Sequence, residues 1–255
     1  MSEGNKTTHV MGSSRLFSPV VELRQYTLKS GRREDLIRVF DTHLVEPQED
    51  TGMTVIGQFR DLDWPDRFVW LRGFEDMEAR RDALTAFYGG LVWTAYRDAA
   101  NETMIDSDDV LLLTPAWPDS AFDLSGASRD SADRKASYSV VAGTIFHLQP
   151  GTEADFAATF AEEARQRLAR HDGPLLAAFI TEHAENTFPR LPVRAGENVF
   201  VVFQAFTDAL AMANHDAALA TDPVWMHGVL PVLERYFSRP SERLRLAPTA
   251  RSLLP

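Results

Sequence analysis

No cysteine occurs among the 255 residues. Disulfides, thiolate nucleophiles, iron–sulfur clusters and the usual cysteine zinc cages are excluded together. A reducing, cytoplasmic setting is the default expectation for such a chain. Basic charge is scarce as well: 26 Lys and Arg stand against 37 Asp and Glu, a formal net charge of −11. Nucleic acids and anionic membranes both need a basic surface, so neither is an expected partner. Apolar runs such as Val110–Leu113 and Val199–Phe203 stop far short of the ~20 residues of a membrane-spanning helix. Residues 1–17 are polar and lack the apolar centre of a signal peptide, so they are expected to form a flexible arm, with Met11 as a second conceivable start. His-Glu-x-x-His, G-x-S-x-G, G-x-G-x-x-G and P-loop sequences are all missing, which removes support for metalloprotease, serine hydrolase, dinucleotide-binding and nucleotide-hydrolysing readings. What remains is a chain with 44% hydrophobic residues, enough to bury a substantial core.

The chain repeats itself. Leu28-Lys-Ser-Gly31-Arg-Arg-Glu-Asp-Leu36 matches Leu148-Gln-Pro-Gly151-Thr-Glu-Ala-Asp-Phe156 at an offset of 120. Phe74-x-Asp76 and Val92-Trp93 match Phe206-x-Asp208 and Val224-Trp225 at an offset of 132. The difference is a 12-residue insertion. It falls in the second half at His183–Asn198, a stretch rich in Pro, Arg and Asn, as a loop should be. Both halves give the same order of elements. Strands are expected at 19–29, 53–60, 67–74 and 109–114, and again at 138–148, 175–182, 198–206 and 242–246, with a helix after the first and third of each set. Glu75 and Asp76 in one half, and Asp208 in the other, stand at the start of the second helix, where its dipole favours negative charge. The pattern is β-α-β-β-α-β twice, an α+β chain of two tandem ferredoxin-like domains. Their expected bounds are 18–115 and 138–250, joined by a linker over 116–137. Each four-stranded sheet would have helices on one face only, and two such sheets can cover each other by closing into one barrel.

Three polar residues recur at period two on the first strand: Glu22, Arg24 and Tyr26. With Val21 and Leu23 assigned to the helix side, this polar face is expected to point into the barrel interior. Trp70 and Arg72 share a face of the third strand with Phe68 and Phe74. The second half holds Ala142, Thr144, Phe146, Val202 and Gln204 at these positions, so the polar set belongs to one half alone. Buried charges are unfavourable unless paired, and a packed barrel gains nothing from them, which points to a ligand site. The competing reading is a solvated network on an exposed strand, of little energetic weight. His43, near the inward stripe of the first helix, is the natural proton shuttle, although a histidine at a helix edge is more often a surface or capping residue. His183 with Glu185, and His215 with Asp216, only approach metal-ligand spacing, and His147 shares the face of Ile145, expected to lie towards the helices. No metal or other cofactor is expected. Trp93 and Trp225 repeat in both halves, as packing residues would.

The stretch Val21-Glu-Leu-Arg-Gln-Tyr-Thr-Leu-Lys-Ser-Gly31 resembles the opening motif of NIPSNAP domains, and Phe68-Val-Trp-Leu-Arg-Gly-Phe74 with its following acidic helix is similar to the same family. The resemblance spans roughly 19–115 and, more faintly, 137–248. It implies the dimeric α/β-barrel fold, and it marks Glu22, Arg24, Tyr26, His43 and Trp70. Related barrels include cofactor-free monooxygenases, haem enzymes and small-molecule lyases, so function follows from it only by analogy.

Two functions compete. In the first, a monooxygenase-like enzyme or binding protein holds a small molecule in the barrel interior. Arg24 and Arg72 would bind it, Tyr26 would donate a hydrogen bond, Trp70 would stack on it, and His43 or Glu22 would move a proton. In the second, a non-catalytic scaffold has a barrel plugged by Phe68, Phe74, Phe146 and their neighbours, with Arg24 paired to Glu22. Self-association into a homo-oligomer is open under both.

Overall fold

The computed structural model describes residues 17–129 and 139–255; the expected arm up to residue 16, residues 130–137 of the expected linker, and Tyr138 lie outside it. The first half runs β1 (Val20–Leu28), α1 (Arg33–Val39), a π-helical turn (Phe40–Leu44), α2 (Val45–Glu49), β2 (Thr54–Asp61), β3 (Arg67–Phe74), α3 (Met77–Tyr88), α4 (Leu91–Asn101) and β4 (Met104–Pro115). The second runs β5 (Val140–Leu148), α5 (Glu153–Thr159), a π-helical turn (Phe160–Ala164), α6 (Arg165–Arg170), β6 (Leu175–Thr181), β7 (Val199–Phe206), α7 (Ala209–Thr221), a π-helical turn (Trp225–Val229), α8 (Leu230–Glu234) and β8 (Phe237–Pro248).

Local chemistry accounts for the shared punctuation. Gly31 and Gly151 turn each first strand into its helix at φ of +76° and +78°, a conformation in which a Cβ would be strained. Asp76 and Asp208 are the N-caps of α3 and α7, accepting from the amides of Ala79 and Ala211 at 2.7 and 2.8 Å. The eight strands close into an antiparallel barrel in the order β1-β3-β2-β8-β5-β7-β6-β4. Both halves pair in the same register, with Arg24 opposite Trp70 in one and Thr144 opposite Val202 in the other. The strands β4 and β8 begin earlier than their sequences indicate. Their first residues, such as Ile105-Asp-Ser-Asp108, show no apolar alternation because that stretch is largely exposed.

All eight strands contribute to one apolar cluster, which is therefore the barrel interior. It contains Val21 and Leu23 of β1, Phe59 of β2, Val69 and Leu71 of β3, Leu111 and Leu113 of β4, Ile145 of β5, Phe179 of β6, Phe203 of β7 and Leu246 of β8. The linker takes part as well. Its Phe122 packs on Phe179 and Phe203 at 5.3 and 5.2 Å between ring centroids. Ser120 exchanges hydrogen bonds of 2.8 Å with the backbone of Ala178, so this part of the connection is docked along β6 and is not a free spacer. His147 lies on the Ile145 face as expected, but that face is the barrel interior, not the helix side. The ring is buried there between Glu242 (2.8 Å) and Arg239 (2.9 Å).

Candidate functional site

The barrel facing of β1 reverses the expectation. Val21 and Leu23 point inward, and Glu22, Arg24 and Tyr26 lie beneath the helices together with Trp70 of β3. Tyr26, Phe68, Trp70 and Phe74 share one apolar cluster with Leu36, Phe40 and Leu44 of the first helical layer and Leu84 and Phe87 of α3. Phe68, Phe74 and Phe146 accordingly do not plug the barrel; the interior set above does. Because β1 is covered on both sides, seven consecutive residues from Val20 to Tyr26 are buried, and hydrophobic alternation could not tell one face from the other.

Glu22 is the centre of the polar set. Its Oε2 accepts from Arg24 and from Arg72, and its Oε1 from Arg80 of α3, each at 2.7 Å. The Glu22, Arg72 and Arg80 side chains are fully buried, and Arg24 is almost so. Burial works against the Glu22 charge, but Arg72, Arg24 and Arg80 outweigh it and hold the carboxyl far below the usual carboxylate range. Burial also lowers the Arg80 guanidinium, with Arg72 and Arg24 repelling it and Glu22 opposing the shift. Arg24 is driven the other way: burial disfavours its charge, but Tyr26 and Glu22 overcome that. Burial raises the Tyr26 phenol, which stays protonated. These four charged groups sum to two net positive charges in the interior.

The second shell of contacts joins this cluster to a small cavity. Arg24 Nε donates to Tyr26 Oη at 3.0 Å, while Arg72 donates to Tyr88 Oη and Gln48 Oε1 at 3.4 Å each. Arg72 also sits 5.0 Å from the Trp70 ring centroid. Tyr26, Gln48, Trp70 and Tyr88 form one side of a cavity of about 30 Å³, closed elsewhere by the apolar and aromatic side chains of Phe40, Phe87, Trp93 and their neighbours. The Trp70 indole N–H and one NH2 group on each of Arg72 and Arg80 are buried without an acceptor.

The inserted loop of the second half covers this site in the first. Arg80 donates to Asn186 Oδ1 at 3.0 Å and to Thr187 Oγ1 at 3.3 Å, and Thr187 in turn donates to the Met77 carbonyl. Phe188 is buried in the same apolar cluster and stacks on Tyr88 at 6.0 Å. Sequence reading missed Arg80, Gln48, Tyr88 and this cover. Arg80 carried a signal: it occupies the stripe Arg80, Ala83, Leu84, Phe87, whose spacing marks the buried face of α3. His43 sits in the first π-helical turn with its ring stacked on Tyr96 at 3.9 Å, and none of its described contacts reaches Glu22, Arg24, Tyr26 or Trp70. His183 pairs with Glu153 at 2.8 Å.

The equivalent place in the second half is open. Phe146, Thr144, Val202 and Gln204 replace Tyr26, Arg24, Trp70 and Arg72, and a cavity of about 320 Å³ lies between them and Leu219, Trp225 and Met226. Several of its polar groups are partnered: His215 Nδ1 meets the His171 carbonyl at 2.7 Å, Gln204 lies 3.3 Å from His215 Nε2, and Arg243 donates to Asp216 at 2.7 Å.

Known structures share this architecture. A proposed monooxygenase from Lactobacillus acidophilus NCFM aligns over 91% of this chain and 94% of its own, at 12% identity and a TM-score of 0.55. One from Fusobacterium nucleatum subsp. nucleatum aligns over 91% and 93% at 8% identity and a TM-score of 0.58. An anthrone oxidase-like protein aligns over 90% of both chains at 11% identity and a TM-score of 0.53. At these identities the likeness is one of fold, the dimeric α/β barrel. No curated protein matches the sequence. Residues 21–118, nearly all of the first half, do match the NIPSNAP family model.

Proposed function

We propose that this chain is a small-molecule enzyme or ligand-binding protein, with cofactor-independent, monooxygenase-like chemistry as its reaction class. Its site is the pocket between the first-half sheet and the helices over it, in place of the barrel interior. The observation that carries this reading is the set of buried donors without acceptors, close to a small aromatic-lined cavity. An unsatisfied buried donor costs about 1–3 kcal/mol, and two of the three belong to arginines bonded to Glu22, with the third on Trp70, whose ring lies 5.0 Å from the Arg72 guanidinium. The absence of the same set from the second half supports it further. The underlying fold is read as two tandem ferredoxin-like domains, 18–115 and 138–250, joined through 116–137. The matching registers and the π-helical turns at Phe40 and Phe160, 120 residues apart, favour a duplication.

In this site Trp70 and Tyr26 contact the ligand, and Arg24 and Arg72 stand behind them as the source of positive potential. Glu22 is a positioning residue: a carboxylate held so far below its ordinary range is a poor proton acceptor near neutral pH. A proton-transfer role for His43 requires its ring to leave Tyr96. The scaffold reading keeps two observations of its own, the filled barrel interior and the Arg24–Glu22 pair. Oxygen uptake and calorimetric binding with a panel of phenols, quinols and small aromatic acids separate the two. Turnover or binding that disappears in Trp70→Phe and Tyr26→Phe supports the site, whereas no response from any compound returns the protein to the scaffold class.

A further inference from the structure

We infer that this pocket takes a small organic acid, its carboxylate held by the Trp70, Tyr26 and Tyr88 donors in front of the Arg24–Arg72–Arg80 cluster. The inference rests on the site proposed above and names its ligand class.

The polar wall of the cavity offers donors only. The Tyr26 oxygen accepts from Arg24 and the Tyr88 oxygen from Arg72, which leaves each hydroxyl hydrogen to be given. The Trp70 indole is a donor by its chemistry and has no acceptor. Gln48 is held in place, its Oε1 accepting from Arg72 and its Nε2 donating one hydrogen to the Leu44 carbonyl at 2.9 Å, which leaves a second amide hydrogen as a further donor. A ligand that satisfies this wall must bring acceptors and no donors, as an ionised carboxylate does. The charge count leads to the same answer independently. Arginine keeps its proton in proteins, so three guanidiniums around one carboxylate cannot neutralise themselves by titration. Water in the 30 Å³ cavity could occupy the donors but would leave the excess charge uncompensated. An anion does both. The remaining wall consists of apolar side chains and aromatic rings, among them Phe40, Phe87 and Trp93, which suits an apolar or aromatic body behind the carboxylate.

The cavity of about 30 Å³ is too small for such a body, so binding requires it to widen, and the inserted loop is the element that packs on its outer side. Asn186, Thr187 and Phe188 of the inserted loop hold Arg80 and Tyr88 from outside. Moving that loop enlarges the pocket and frees the Arg80 guanidinium, whose contacts with Asn186 and Thr187 the carboxylate would replace.

The test is calorimetric titration of the full chain, in buffer free of carboxylate and phosphate, with matched pairs: acetate and acetamide, benzoate and benzamide, and inorganic phosphate. Benzoate is expected to bind at least tenfold more tightly than benzamide. That preference should fall to less than threefold in Arg80→Met, and benzoate affinity should drop at least fivefold in Trp70→Phe, which keeps an aromatic ring, smaller than the indole, and removes the N–H. Melting curves of both variants identify any loss due to misfolding, and Tyr88→Phe serves as a third probe of the donor wall should either fail to fold. Equal binding of acid and amide would overturn the organic-acid inference and leave the pocket itself standing. Benzoate binding unaffected by every variant would place the acid elsewhere and overturn the inference. Binding of phosphate without either carboxylate would overturn the assignment to an organic acid. No binding by any member would overturn this inference and leave the proposed site to be decided by the phenols and quinols.

Discussion

Glu22→Gln should be the most damaging conservative substitution in the first half. It preserves shape and removes one negative charge, so that three guanidiniums face a neutral amide and the local sum rises from two positive charges to three. Breaking a buried pair by deleting one partner costs about 3–5 kcal/mol. Here the single deletion unpairs three arginines, each 2.7 Å from the carboxylate, so the upper end, about 5 kcal/mol, is the expected value. With a urea slope of about 3 kcal/mol/M for a chain of this size, the unfolding midpoint falls by roughly 1.5 M. Arg80→Met is the paired control. It gives up the bond to Glu22 and those to Asn186 and Thr187, but it relieves repulsion from Arg72 and Arg24 and lowers the local charge from two to one. A loss below about 2 kcal/mol is expected. The order of the two variants is the decisive quantity. Equilibrium urea unfolding followed by tryptophan fluorescence measures it, and an Arg80→Met variant as unstable as Glu22→Gln would refute the charge-excess argument.

Other consequences are independent of that cluster. Burial raises the Asp41 carboxyl to about 6, against the relief provided by Thr249 and Arg251, and its Oδ1 has no partner. The folded state therefore holds this proton more tightly than the unfolded one, so stability declines as pH rises from about 4 through about 6. Asp41→Asn should gain about 2 kcal/mol at pH 7.5 and nothing below pH 4; urea midpoints that shift equally at both pH values would refute it. Phe203→Ala opens the barrel interior against Phe122 and Phe179 and should cost about 3–5 kcal/mol, roughly ten degrees of melting temperature by calorimetry. At Gly173 an added Cβ would come within 2.3 Å of the His215 ring and 2.5 Å of Gln204 Nε2, so Gly173→Ala should cost about 1–3 kcal/mol, read from the same melting curves.

The architecture was legible because the two halves carry matching signals at matching places. Gly31 and Gly151, Asp76 and Asp208, and the strand pairs at offsets of 120 and 132 each confirmed one another, and the barrel followed from two sheets that each needed a cover. The facing of β1 was not legible. Sequence alternation separates a wet face from a dry one, and β1 has no wet face until Thr27, so Val21 and Leu23 gave no direction. The charges were assigned to the inside of the barrel because the helix side was assumed to be wholly apolar. That assumption fails wherever a helix supplies the counter-charge, as α3 does with Arg80. The cover was not legible either, since contacts such as Arg80 with Asn186 join residues 106 apart in sequence, and nothing in a polar loop says where it docks.

The asymmetry between the halves now has a structural meaning. The two halves share one frame of elements and place two pockets at equivalent positions, and the residues opposite each other on the paired strands differ between them. Where Arg24 stands opposite Trp70 the pocket lies beside buried charge and is small, about 30 Å³; where Thr144 stands opposite Val202 it is about 320 Å³. The cover follows the same division. The insertion belongs to the second half, yet Asn186, Thr187 and Phe188 close over the first, where Arg80 and Tyr88 give them partners. A chain that only needed a stable barrel could carry two alike apolar layers. Concentrating three arginines under one half, and roofing them with a loop from the other, makes the first pocket depend on the closed barrel that holds both halves together. Separating the halves should therefore disable the site even if each half keeps its own sheet.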